Sequence, residues 1–288
     1  MTDRPTRVVD AHVHIWDPAR TDWYPYLAHP PAQGGGDASR MYRRFDVDTY
    51  RAEASGWNVE KFVNVAAATG RHSIEETIEL DDQAGERGGP DAVIGGLPPT
   101  DTVAEAVELL DRQMTAPRFR GVRPMGVYEG PLPEAGVLGA LEERHLIFEL
   151  MSHTEQLQAA ARGLAGFGDL TVVVEHTGWP RSDSDEEHVL WRSGIDALAG
   201  LGDNVVCKLS GLAMPFGSMQ VDALARWLEY AIEAFGVDRC MFASNFPVDS
   251  MYGTFDELYT VFSDVTAGLD AESREKVFAG NAERVYSC

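Results

Sequence analysis

Little in this chain points towards disulfides, membranes or nucleic acid. Its 288 residues include three cysteines, Cys207, Cys240 and Cys288, at no metal-binding or redox spacing. Cys207 and Cys240 lie in apolar, strand-like runs and read as buried free thiols. Cys288 is terminal and reads as inert. No run of about 18 apolar residues occurs, so no membrane-spanning helix is expected. The first seven residues are polar and lack the apolar core of a signal peptide, so a cytoplasmic location is expected. Positive charge is scarce: 24 Lys and Arg stand against 46 Asp and Glu, a formal charge of −22. That balance disfavours nucleic acid and anionic membrane as partners, although one local arginine is enough to hold an anionic small molecule. No Gly-x-Gly-x-x-Gly follows the first strand, which argues against a dinucleotide-binding open sheet. No domain linker and no short repeat is found, so residues 1–288 read as one domain.

What the chain does have is a series of eight strand-like runs separated by helical patterns. The first holds Val8-Val9-Asp10-Ala11-His12-Val13-His14. The others are Lys61–Val65, Ala92–Leu97, Arg120–Arg123, Leu146–His153, Leu170–His176, Val205–Gly211 and Cys240–Asn245. Several are continuous apolar runs, as in a parallel sheet covered on both faces. Helix starts are expected at Asp46, at Ser73 through a Ser73–Glu76 capping box, and at Asp101. The simplest architecture is an α/β fold, a single (β/α)8 TIM barrel, with a doubly wound open sheet as the alternative. A long segment, Asp17 to Arg44, follows the first strand. It carries Trp23, Tyr24 and Tyr26, with Pro30, Pro31 and Gly34-Gly35-Gly36 behind them. Together with Trp16 just before it, this aromatic loop reads as a wall or lid over a site.

In such a barrel the active site lies at the C-terminal ends of the strands. Polar residues recur there: His12 and His14, Asn64, Arg123, His153, His176, Lys208 with Ser210, and Ser244-Asn245 with Asp249 just beyond. Period-two alternation places Val8, Asp10, His12 and His14 on one face of the first strand. Four histidines converging on one rim suit hydrolysis at a carbonyl. His12, His14 and His176 could hold a divalent ion, or could stabilise an oxyanion directly without metal. Arg123 offers a two-pronged grip on a carboxylate or hydroxyls. Lys208 could stabilise negative charge or pair with Glu149 or Glu175. Trp16, Asn64 and His153 complete the candidate substrate-binding set.

Six ordered stretches resemble the amidohydrolase superfamily, and within it the lactonase-like amidohydrolase-2 group. They are Asp10–Asp17, Arg120-Gly121-Val122-Arg123, Glu175–Pro180, Cys207–Leu212, Met241–Asp249 and Gly280–Tyr286. This group includes enzymes similar to sugar-acid lactonases and 2-pyrone-4,6-dicarboxylate lactonase. The resemblance implies a (β/α)8 hydrolase in which His12 and His14 match the first-strand pair and His176 the sixth-strand histidine. Arg123 matches an arginine that helps to hold substrate. It also implies a divalent-ion site, since the wider superfamily often binds one or two ions here, frequently zinc, of which one is expected in this chain, though some lactonases of the group work without metal, and it makes a homodimer plausible. One residue departs from the pattern. The family commonly has Ser-Asp-Trp-Pro at the eighth strand, where the aspartate is the general base; here that position is Asn245, and an amide takes no proton from water at neutral pH. Asp249, four residues on, is a candidate replacement if the loop folds back, and His153 and His176 are candidates if no metal occupies them. The expected activity is opening of a sugar-acid lactone or pyrone carboxylate. The alternatives are non-oxidative decarboxylation of an unsaturated or aromatic acid, and a ligand-binding barrel with weakened catalysis.

Overall fold

The computed structural model describes residues 4–28, 36–124 and 132–288. Pro30, Pro31, Gly34 and Gly35 of the loop lie outside them. Eight parallel strands pair in sequence order. They are β1 (Val8–Val13), β2 (Val59–Val65), β3 (Ala92–Leu97), β4 (Phe119–Pro124), β5 (Ile147–Leu150), β6 (Val172–Val174), β7 (Val205–Leu209) and β8 (Cys240–Phe242). The ring closes beyond β8 through a parallel bridge between Val13 and Phe246. There the Asn245 N–H donates to His12 O at 2.9 Å and the His14 N–H to Phe246 O at 2.8 Å. The architecture is the expected (β/α)8 barrel.

Two apolar cores follow from the strand period. Val9, Ala11, Val63, Val65, Ile94, Ile147, Val173, Val206 and Met241 fill the barrel interior. The alternate residues, such as Phe62, Val122, Phe148, Val174 and Phe242, face the surrounding helices. Helix Val221–Phe235 shows why these helices dock: Leu224, Trp227, Leu228, Ala231 and Phe235 recur at helical spacing and are all buried. Ala279, Ala282 and Tyr286 of the C-terminal segment join the interior core. Lys61, near the start of β2, donates to Glu283 at 2.6 Å, and Arg120, near the start of β4, to Tyr286 O at 2.7 Å. This segment therefore stoppers the N-terminal end of the barrel. Cys207 and Cys240 are buried free thiols, as expected. Among the described residues no helix is long and apolar enough to cross a membrane.

Three local expectations are corrected. Val8 belongs to the outer core while Val9 and Ala11 face inward, and Asp10 bonds outward to Tyr50 Oη at 2.8 Å. The register of β1 then shifts between Asp10 and Val13. Asp10 does not share a face with His12 and His14; the irregularity alone turns both imidazoles inward. Its local cause is the Asp10 carboxylate, which accepts the N–H groups of His12 (3.3 Å) and Ser244 (2.8 Å) in place of regular pairing. The Ser73–Glu76 capping box does not form. Helix His72–Arg87 starts with no side-chain cap, and buried Glu76 instead accepts the N–H groups of Ala67 and Ala68 and the Tyr24 hydroxyl. Helix Val103–Gln113 is capped by Thr102, not Asp101.

Candidate active site

The strand period that fills the barrel also builds the site. One step of two residues beyond the interior residues Ile147, Val173 and Val206 lie Glu149, Glu175 and Lys208, and Arg123 stands two beyond Gly121. The top interior layer is thus charged, and His12 joins it from β1. Arg123, Glu149, Glu175, Lys208, His12, His14 and His176 are all buried. Charges removed from water must be paired. Lys208 Nζ lies 2.7 and 2.8 Å from the two Glu149 oxygens, and Tyr286 Oη donates to Glu149 at 2.6 Å. Burial, with Glu175 alongside, nevertheless pushes the Glu149 carboxyl up to about 8 against the pull of Lys208.

The histidines form a chain whose hydrogen bonds assign the tautomers. His14 Nδ1 lies 2.8 Å from Val65 O and must donate to it, which leaves Nε2 as an acceptor. His12 Nε2, 3.1 Å away, is then the donor, and His12 Nδ1 accepts from Lys208 Nζ at 3.4 Å. His176 Nδ1 meets Ser210 Oγ at 3.1 Å. Burial, reinforced by Lys208, holds the His12 imidazole well below its usual range; His14 is lowered by burial and Arg123. His176 falls to about 3, again through burial and Arg123. All three rings are therefore neutral near pH 7.

His176 is aimed by a run of left-handed backbone. His176, Thr177, Gly178 and Trp179 have φ of 52°, 55°, 70° and 39°. Three non-glycine residues in this region cost of the order of 1–3 kcal/mol each and need support. Trp191 Nε1 donates to Thr177 O at 2.6 Å, and Gly211 packs so close that a Cβ there would sit 2.5 Å from the His176 ring. Sustained strain at a strand end is a mark of a working site.

Glu175 is the residue whose place the sequence leaves open, since it reads there only as a partner for Lys208. Neither of its oxygens receives a hydrogen bond among the described residues. Its neighbours are His12 Nδ1 at 3.4 Å, Arg123 Nη1 at 3.7 Å and His176 Nε2 at 3.9 Å. Donor atoms of His12, Glu175 and His176 lie within 4.8 Å of one another. The expected trio was His12, His14 and His176; His14 sits beside His12 at the edge of this group. Two neutral imidazoles and a buried carboxylate without hydrogen-bond donors fit a divalent ion, against which Arg123 and Lys208 act as nearby positive charges.

The remaining candidates have definite places. The Arg123 side chain donates through Nη2 to Ala66 O, and its buried Nε has no partner. Asn64 Oδ1 accepts the Ile15 N–H at 3.0 Å and so fixes the start of the aromatic loop. Trp16 stacks on His14 with centroids 5.7 Å apart. The loop's first half is packed: Trp16, Trp23 and Tyr24 are buried, and Tyr26 Oη donates to Ala67 O. His153 stands apart from the other histidines and stacks on Trp179 at 4.4 Å. Beyond β8 the chain folds back, the Asp249 N–H donating to Asn245 O at 3.0 Å. Asn245 Nδ2 donates to Asp249 Oδ1 at 2.9 Å, while buried Asp249 Oδ2 has no partner. Burial pushes the Asp249 carboxyl up to about 8, opposed by Asn245 and the Gly211 N–H.

Comparison with known proteins shows the family and the fold. The family profile described as amidohydrolase matches residues 9–288. An L-fucono-1,5-lactonase of Burkholderia ambifaria is 27% identical over 96% of this chain and 94% of its own. A crystal structure of an amidohydrolase from Burkholderia multivorans with bound zinc superposes with a TM-score of 0.80 at 23% identity, covering 97% of this chain and 99% of its own. A structure from Acinetobacter baumannii, described as a probable 2-pyrone-4,6-dicarboxylic acid hydrolase, gives 0.69 at 15% identity, covering 98% and 99%. At these identities the two structures bear on the fold.

Proposed function

The chain belongs to the amidohydrolase family and is a hydrolase-type enzyme; on that premise we propose that it is a lactonase, opening a small ring ester by addition of water to the carbonyl. The observation that carries this reading is the convergence of His12, His176 and Arg123 around the buried Glu175 carboxylate at the barrel rim, with His14 and Lys208 against His12. The name of the L-fucono-1,5-lactonase relative supports it.

Asp249 is the general base. Its free Oδ2 takes a proton from water as the water oxygen bonds to the lactone carbon. The ring C–O bond then breaks, and the leaving oxygen takes that proton back as a hydroxyl. Asn245 does not move a proton; it orients Asp249 by donating to Oδ1. The unpartnered Arg123 Nε–H faces the substrate's oxygens, and Lys208, held by Glu149, supplies positive potential for the developing oxyanion. His12, Glu175 and His176, with His14 adjacent, would hold a divalent ion, zinc first. Such an ion supplies Lewis-acid polarisation of the carbonyl. Trp16 braces His14, and Asn64 and His153 line the approach.

The test is a pH-indicator screen against sugar-acid lactones and pyrone carboxylates. Acid release above the spontaneous rate, reduced at least about a hundredfold in His176→Ala, is expected. Near-normal turnover in a folded His176→Ala variant would remove His176 from the mechanism.

A further inference from the structure

A cavity of different chemistry adjoins the polar floor of the site. A cavity of about 440 Å³ lies between the loops that follow β1, β5, β6, β7 and β8. Its walls include Tyr42, Trp179, Met214, Val248, Met251 and Tyr252, all only partly buried. Its walls adjoin the candidate reaction centre at three points. Trp179 meets the His176 ring edge-on with centroids 5.6 Å apart. Met214 Sδ lies 3.9 Å from Asn245 Nδ2. Val248 flanks Asp249 in the chain, and Met251 follows two residues after it.

Among the described residues most of this cavity's lining is apolar, and its side-chain hydrogen-bonding groups besides one arginine are the Tyr42 and Tyr252 hydroxyls, the Trp179 N–H and His153. Among the described residues its one charged lining side chain, Arg181, is turned to Glu155, with Nη2 to Oε1 at 2.5 Å. Thioether and valine surfaces and the faces of the aromatic rings offer hydroxyl groups little to bond, and a polar group buried without a partner costs about 1–3 kcal/mol. Methionine and aromatic surface instead suits flat apolar groups, through S–aromatic contact and ring stacking. Its volume falls within the range of small-molecule pockets, roughly 300–1,000 Å³.

From this division we propose that the substrate is amphipathic: its ester and any carboxylate face Arg123 and Lys208, and an apolar planar group, aromatic or alkenyl, sits between Trp179 and the Met214–Met251 wall. The class is thus an aryl- or alkenyl-bearing lactone, not a fully hydroxylated sugar lactone. This refinement rests on the lactonase reading for its chemistry and on the cavity for its preference.

Two measurements separate the two. The first compares kcat/KM for dihydrocoumarin and glucono-1,5-lactone, each corrected for its spontaneous hydrolysis. The second measures 2-naphthoate binding by calorimetry in the wild type, Trp179→Ala and Met251→Gln. Dihydrocoumarin is expected to be favoured at least about tenfold, and each substitution to weaken naphthoate about three- to tenfold. Hydrolysis of both lactones with gluconolactone preferred would overturn the substrate class and leave the lactonase reading standing. Absence of any hydrolysis, with naphthoate bound and weakened by both substitutions, would overturn the lactonase reading and keep the apolar site. Naphthoate that fails to bind, or binds equally to all three proteins, refutes the apolar site whatever the lactones do.

Discussion

A base with a pKa near 8 dictates a particular pH profile. Asp249 is held at about 8, far above the ordinary 3.8, because its carboxylate is buried. At pH 7 about one molecule in eleven carries the ionised base, and at pH 9 about ten in eleven. After subtraction of spontaneous hydrolysis, kcat/KM should therefore climb about tenfold between these values. Asn245 opposes the upward shift by donating to Oδ1. A hydrogen bond to a charged group is worth roughly 1.5 kcal/mol, or about one pKa unit. Asn245→Ala should thus move the rising limb about one unit further alkaline. Asn245→Asp should split it, since two carboxylates in contact share one proton and the first ionises more readily; activity at pH 7 then rises. The assay is initial-rate hydrolysis from pH 6 to 9.5 on all three proteins. A flat profile, or a limb at the same pH in all three, would refute the assignment of Asp249.

Other consequences can be read from the same contacts. Folded Asp249 keeps its proton up to about pH 8, whereas the unfolded chain releases it above about 4. Its contribution to stability therefore worsens as pH rises from about 4 to 8 and is flat beyond; Asp249→Asn should remove that slope in urea unfolding. Lys208→Met leaves Glu149 and Glu175 buried without the ammonium that lies 2.7 Å from Glu149, and should cost roughly 3–5 kcal/mol at pH 9. Less is lost at pH 6, where Glu149, held at about 8, takes up a proton. Glu175→Gln should weaken zinc binding in equilibrium dialysis at least about tenfold while leaving the circular dichroism spectrum unchanged. Tyr50→Phe removes a donor to buried Asp10 and should lower stability by about 1–3 kcal/mol in the same unfolding assay.

Much of this was legible in the order of residues. Continuous apolar runs such as Val172-Val173-Val174 announced a covered parallel sheet. Polar residues at their C-terminal ends announced the rim. Arg123, His12, His14, His176 and Lys208 stand out as candidates because each ends or follows a strand-like run. What escaped was geometry set by single side chains. Asp10 breaks the period of β1 by capturing the His12 and Ser244 N–H groups, so the two histidines turn inward for a reason that alternation alone misstates. Glu76 has capping-box spacing from Ser73 but is drawn to the Ala67 and Ala68 N–H groups. Glu175 was visible as the next inward position after Val173, and only the fold shows that its oxygens are left unbonded. The return of Asp249 to Asn245 depends on a turn that no short motif encodes.

The central claim is that this rim hydrolyses a lactone with Asp249 as base. Acid release by wild type and Asp249→Asn, at pH 8.5 on a panel of sugar, pyrone and aryl lactones, tests it most directly. The account predicts release well above the spontaneous rate in wild type and a loss of at least about a hundredfold in the variant. No release by folded wild type across the panel, or carbon dioxide evolved from an aromatic acid in its place, would contradict it.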